Sequence, residues 1–325
     1  MFSELGVVDL MLGFPSHEAV HNYDFLRPIL RDEGSQAMEM PAEYMFKQVP
    51  NHLEQGVDPV DVVIDQMDHH GIQVGMVGLG LPVIDKAIEH HEIDVSMVSK
   101  DSSRRGLALH PDRFVASMEV DPNRITKTVR AIRTAHAEHG LKAVTSFPSG
   151  CNPPVAVNDA RYYPIYQVCI DLGIPVVVNA GIAGPRVRSD VQHVMHFDQV
   201  CYDFPELTIV MRHGAEPWDE LAVKLMLKWP GLHYMTSAFA PKHYPQAIVD
   251  YANTRGADKV MYAGYYPMGL SLDRIFAELP DVPFRDHVWA PFLRDNAVRV
   301  FGIEHPKVPK ADTAAESADG ATTDA

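Results

Sequence analysis

The sequence predicts a (β/α)8 TIM barrel. Three observations carry that prediction: eight short apolar runs, helix-like segments between them, and a glycine stop ahead of several runs. The runs are "GVVDLML" (6–12), "IQVGMVGL" (72–79), "RFVASMEV" (113–120), "KAVTSF" (142–147), "IPVVVNA" (174–180), "LTIVMRH" (207–213), "LHYMTSA" (232–238) and "KVMYAG" (259–264). Most are rich in Val, Ile or Met without strict alternation, the pattern of parallel strands buried on both faces. The stretches 122–138, 159–172, 217–228 and 244–255 read as helices. The strings "HHGI", "EHGL", "DLGI" and "TRGA" supply the left-handed residue that ends a helix before the next strand. Eight such units make one barrel, and 325 residues accommodate it as a single domain, 1–306.

Taken in order, strand 1 departs from the alternation. An insertion, 13–56, follows it, holding "QAMEMPAEYMFKQ". After strand 8, "FRDHVWAPFLRDNAVRVFGI" reads as closing helices. The tail 307–325 is Ala, Thr, Ser and Asp without an aromatic residue, a composition that cannot bury enough apolar surface to order itself.

Composition narrows the function. Formal net charge is −15, which repels phosphate backbones and argues against nucleic-acid binding. The three cysteines, Cys151, Cys169 and Cys201, are odd in number and widely spaced, so neither a disulfide framework nor a zinc knuckle is expected. No basic segment leads an apolar run at the start, and no stretch of about 18 apolar residues occurs. A cytoplasmic protein without a membrane span is the expectation.

The strings "DQMDHHGIQVGMV", "HPDRFVASMEVDP", "YYPIYQVCIDLGIPVVVNAG", "IVMRHGAEPWDE", "HYMTSAFAP", "DKVMYAGYYP" and "NAVRVFGI", in this order and spacing, resemble the amidohydrolase-2 type of the amidohydrolase superfamily over roughly 4–303. The resemblance implies a barrel with a divalent metal at its C-terminal mouth, held by His-x-His on strand 1, histidines ending strands 5 and 6, and an aspartate ending strand 8. It also implies metal-dependent hydrolysis or decarboxylation of small carboxylated or aromatic acids. Matched residue by residue, the family's first string falls on "DLMLG". Asp9 is kept, Met11 and Gly13 replace the histidines, Asn179 replaces the strand 5 histidine, His213 is kept, and Tyr265 replaces the aspartate. Strand periodicity places Asp9, Met11 and Gly13 on one inward face. Thr145 stands on strand 4 where some members carry a bridging group.

One family ligand of five is therefore kept, and a catalytic zinc needs about three protein ligands. No metal and no other cofactor is expected. The main expectation is a non-catalytic accessory or binding protein. A further, weaker resemblance is to the amidohydrolase-like accessory proteins of bacterial di-iron alkane (propane) monooxygenase clusters. It implies a protein partner, a monooxygenase component or its chaperonin, and a role in maturation or assembly. Met38, Met40, Tyr44, Met45 and Phe46 are its candidate docking residues, since thioethers suit adaptable surfaces. Most such clusters read instead as a lid packing over its own barrel. The alternative is a metal-independent hydrolase, lactonase or decarboxylase with His213 as base, Tyr265 as proton donor and Asn179 as oxyanion donor. Asp9, Met11 and Arg186 would then line the substrate; a small acid in the mouth and a homodimer belong to the same expectation. Arg186 and Arg188 otherwise read as surface ion-pair residues. Adjacent helical histidines, His69–His70 and His90–His91, point about 100° apart and are not expected to share an ion. His193 and His196 share a face if helical, without a third ligand in view.

Overall fold

The computed structural model describes residues 2–15, 53–79, 100–184, 187–267 and 270–304. Residues 16–52 of the insertion, with the proposed docking residues 38–46, as well as Arg186 and the tail, lie outside them. The eight predicted strands form one parallel sheet in sequential order: β1 (Val7–Asp9), β2 (Ile72–Gly78), β3 (Phe114–Glu119), β4 (Ala143–Ser146), β5 (Val176–Asn179), β6 (Ile209–Arg212), β7 (Leu232–Thr236) and β8 (Val260–Tyr262). Helices including Pro59–His70, Ile125–His139, Tyr163–Leu172, Asp219–Lys228 and Gln246–Thr254 alternate with them. This is the (β/α)8 barrel that the sequence predicts. Glycines 71, 140 and 173 take left-handed conformations at helix ends, as "HHGI", "EHGL" and "DLGI" imply.

Two apolar layers result. Val8, Leu10, Val74, Met76, Val177, Val210, Met235 and Met261 fill the barrel interior, and Ala297, Phe301 and Ile303 close its base. The other strand faces pack under the helices in a larger cluster containing Val7, Ile72, Phe114, Val144, Val176, Ile209 and Tyr262. The final helix, Asn296–Phe301, is tied to the base of β8. Asn296 Nδ2 donates to the carbonyls of Ala257 at 2.7 Å and Val260 at 2.9 Å, so this residue is structural, as its motif suggests. Lys259 donates to the carbonyls of Trp229, Pro230 and Leu232, satisfying three acceptors at the foot of β7 with one ammonium group.

The barrel closes along a seam between β1 and β8, and Asp9 lies in that seam instead of lining the mouth. The β1–β2 register shifts between Val7 and Val8. The extra residue, Gln73, lies on β2, so β1 keeps its own alternation. Val8 and Leu10 take the interior, and Asp9 between them turns the other way. Its Oδ1 accepts the Met11 N–H at 2.9 Å and the Gly264 N–H at 2.8 Å. Oδ2 faces the hydroxyl of Tyr262, short of a fully aligned hydrogen bond. The Tyr262 ring in turn lies against Phe276 and Phe292 of the outer layer. A Cβ on Gly264 would come within 2.3 Å of Oδ2, so only glycine admits the carboxylate here. Beyond the strands, the Tyr265 N–H donates to the Met11 carbonyl at 3.0 Å and the Gly13 N–H to the Tyr266 carbonyl at 2.8 Å. Met11 and Gly13 are thus seam residues too, and the expected inward face of Asp9, Met11 and Gly13 is not the one found: Val8 and Leu10, on the alternate positions, take the interior.

Burial raises the Asp9 carboxyl from 3.8 to about 6, against the lowering pull of its two backbone donors and Tyr262. The folded chain therefore holds this proton more tightly than the unfolded one. The associated stability is fully present below about pH 4 and is lost as pH rises through about 6. Asp9→Asn keeps an acceptor for Met11 and Gly264 and carries no charge. In urea unfolding between pH 4 and 8, wild type should lose stability relative to Asp9→Asn by up to roughly 3 kcal/mol. Parallel stability curves for the two proteins would contradict this account of the seam.

Candidate functional site

The C-terminal mouth is built from strand ends. β3 delivers Glu119, β4 Thr145, β5 Asn179, β6 Arg212 and His213, β7 Ser237, and the turn after β8 Tyr265. Sheet register sets the first neighbours: Glu119 pairs with Thr145 across β3–β4, and Asn179 with Arg212 across β5–β6. Thr145 Oγ1 donates to Glu119 Oε2 at 2.7 Å. Arg212 Nε donates to Asn179 Oδ1, and Arg212 Nη2 reaches Glu119 Oε2 at 3.4 Å. That last contact crosses the lumen from β6 to β3. Glu119, Thr145, Asn179 and Arg212 are all buried. Glu119 Oε1 is buried and has no hydrogen-bond partner.

Next to Arg212 stands His213. Its Nδ1 lies 2.8 Å from Ser237 Oγ, and its backbone N–H donates to the same hydroxyl at 3.3 Å. Its ring meets the Tyr265 ring edge-on, with centroids 5.2 Å apart. Burial, and then the adjacent guanidinium of Arg212, hold His213 well below the usual histidine range, so the imidazole is neutral at pH 7. Both residues have left-handed backbones, with φ of 67° at His213 and 85° at Tyr265; Ala215 and Ala238 do so nearby, at 62° and 66°. Non-glycine residues in this region carry strain, and such strain collects at functional sites.

Of the residues singled out from sequence, His213, Tyr265 and Asn179 do converge on the mouth. Asp9 and Met11 belong to the seam, and Arg186 falls outside the described residues. Arg188 makes the exposed ion pair expected of it, 2.7 Å from Asp190. His193 lies outside the helix His196–Asp203 and packs on Trp218 with centroids 4.1 Å apart. Sequence reasoning missed Glu119, Arg212 and Ser237. A signal existed: charged residues inside the apolar runs "RFVASMEV" and "LTIVMRH" almost never become fully buried unless paired.

Among the described residues, the donors at the strand ends do not make up the family's metal-ligand set. Asn179 Oδ1 is taken by Arg212, and Met11, Gly13 and Tyr265 supply no carboxylate or imidazole, so of the family's five positions His213, through Nε2, is the one that could still ligate. A fixed guanidinium also occupies the same strand ends and would repel a divalent cation. Among the described residues, the group with metal-ligand chemistry is instead His69, His70 and Asp273 on the outer helices, with donor atoms within 4.8 Å of one another. The sequence did not bring Asp273 to the adjacent histidines; the fold does.

A (β/α)8 barrel with a buried, polar, acid–base-capable mouth is what the fold and site define. The chain belongs to the amidohydrolase family, whose profile matches residues 89–303. Comparison with curated protein sequences finds no significant match. Among solved structures, an uncharacterised TIM-barrel protein from Bordetella bronchiseptica aligns with a TM-score of 0.66 at 21% identity, over 91% of this chain and 98% of that one. The 5-carboxyvanillate decarboxylase of Novosphingobium aromaticivorans, solved with manganese and 4-hydroxy-3-methoxy-5-nitrobenzoic acid, aligns at 0.64 and 17% identity, over 92% and 97%. The 2,6-dihydroxybenzoate decarboxylase from Rhizobium aligns at 0.62 and 14% identity, over 91% and 98%. These identities speak to the fold. No helix among the described residues is long and apolar enough to cross a membrane.

Removing one member of a buried ion pair strands the other, at about 3–5 kcal/mol. Arg212→Met should therefore unfold at markedly lower denaturant than the Glu119→Gln/Arg212→Met double variant. Chemical denaturation of wild type, the single variants and the double variant closes the cycle. Additive losses would show that the two residues do not interact.

Proposed function

We propose that this protein is a metal-independent acid–base enzyme that hydrolyses or decarboxylates a small carboxylic or aromatic acid at the barrel mouth, lactones included among the hydrolytic substrates. The observation that carries this reading is His213: buried, neutral, locked by Ser237 and set against Tyr265 at the functional end of the barrel. With Nδ1 held by Ser237, Nε2 is the ring atom left to exchange a proton with a ligand. In the tautomer whose Nδ1–H is donated to Ser237 Oγ, Nε2 carries a lone pair and can take a proton from an attacking water. The Tyr265 hydroxyl and the amide Nδ2 of Asn179, whose Oδ1 is spent on Arg212, are donors for developing negative charge. The aromatic-acid decarboxylases among the structural neighbours support a catalytic reading over a non-catalytic accessory role.

The partner-binding expectation rests on Met38, Met40, Tyr44, Met45 and Phe46, all beyond the described residues. Co-purification from the native host tests it: a chain that elutes alone, with monooxygenase subunits present in the lysate, counts against that partner.

A panel of hydroxybenzoates, small carboxylic acids and lactones, assayed in chelator-treated buffer, tests the catalytic reading. His213→Ala should lower kcat by about 10²-fold or more on any substrate found. The base must be neutral to act, and its pKa is depressed. Activity should therefore hold level from about pH 8 down past the ordinary histidine pKa of ~6.5 and decline only in more acid buffer. Turnover unchanged in His213→Ala, or a decline beginning above pH 7, would refute the mechanism.

A further inference from the structure

Two buried groups in the mouth are under-used. Arg212 carries five N–H donors, and its protein contacts take Nε, for Asn179, and one proton of Nη2, for Glu119. The Nη2 contact is long, at 3.4 Å, against 2.7 Å for the Thr145 hydroxyl on the same carboxylate oxygen. The opposite deficit sits across the lumen, where Glu119 Oε1 is buried without any donor. A stranded buried acceptor costs about 1–3 kcal/mol, more when charged. The protein thus keeps spare donors on one wall and a spare acceptor on the other, with the Nη2–Oε2 contact of 3.4 Å joining the two side chains.

We propose that Arg212 anchors a ligand carboxylate and that Glu119 Oε1 accepts a hydrogen bond from a hydroxyl beside it, so the mouth selects hydroxy-carboxylic acids. This rests on the catalytic reading of the same mouth. A guanidinium grips a carboxylate through two parallel N–H···O bonds, which a compact ammonium cannot reproduce. Arg212 then supplies the positive charge that the family draws from a metal. Glu119 does two things. It keeps the guanidinium paired while the mouth is empty, and it disfavours ligands that bring a second negative charge to its side. A carboxylate without a neighbouring donor would leave Oε1 stranded, and an uncharged alcohol would leave Arg212 unused. The arrangement rejects both by leaving a buried polar group unpaired.

The test is equilibrium binding by calorimetry, in buffer containing EDTA, with mandelate, phenylacetate and 2-phenylethanol as probes. Mandelate should bind about tenfold more tightly than phenylacetate, and 2-phenylethanol should be weakest. Arg212→Lys should weaken both acids, and Glu119→Gln should narrow the mandelate preference. Glu119→Gln/Arg212→Met removes both charges together and so guards against misfolding; folded, as judged by its melting transition, it should lose the ranking altogether. Mandelate affinity unchanged in that folded double variant would overturn the proposal, as would acids binding wild type no better than the alcohol. His213→Ala separates the two readings. Ranked binding retained in that variant, with no turnover found in wild type, sinks the catalytic reading and keeps the anchor. Turnover that needs His213 yet keeps its KM in Arg212→Lys and the double variant sinks the anchor alone.

Discussion

A guanidinium inside a barrel mouth has to be answered, and the answer to Arg212 organises this site. Its charge lies on the inward face of β6, out of reach of bulk water. An isolated charge in such a place costs many kcal/mol unless paired and hydrogen-bonded. Asn179 on the next strand and Glu119 across the lumen supply the pairing, and Thr145 holds Glu119 from the side. The same charge acts on His213, the next residue, and helps keep it neutral. The amide of Asn179 and, through Glu119, the hydroxyl of Thr145 thus answer one charge, which adds to the burial that keeps the histidine neutral. A metal-binding mouth needs anionic and imidazole donors around a vacant centre; a mouth organised by Arg212 needs acceptors around a filled one.

The seam between β1 and β8 places the remaining member. Tyr265 is held by its N–H to the Met11 carbonyl, and the turn it sits in is pinned by Asp9 through Gly264. Asp9, which the catalytic alternative would have lining the substrate, serves the frame instead. It links the last strand to the first from within the wall, and its raised pKa reports how dry that wall is.

How much of this was legible in the sequence differs by level. All eight strands were, because parallel strands buried on both faces leave unmixed apolar runs. The convergence of His213, Tyr265 and Asn179 was also legible, since strand ends in a barrel share one rim. The facing of Asp9 was not. Period-2 reasoning groups Asp9 with Met11 and Gly13 but does not say which of the two faces turns inward, and Val8 and Leu10 on either side of Asp9 are the ones that do. Glu119 and Arg212 were hidden for another reason. Their meaning lies in a contact between β3 and β6, 93 residues apart, which no local pattern encodes. Asp273 joins His70 in the same way, over 203 residues. Neither charge stands at a family ligand position: Arg212 is one residue before His213, and Glu119 ends β3.

The central claim is that the mouth is organised by Arg212 and not by a divalent ion. Anomalous diffraction from crystals grown with manganese tests it most directly, because the signal locates the ion as well as counting it. The account predicts no anomalous peak within coordinating distance of Asn179, His213 or Tyr265, with Arg212 ordered between Asn179 and Glu119. A strong peak at those strand ends, with Arg212 swung out of the lumen, would contradict it and restore metal-dependent chemistry to this barrel.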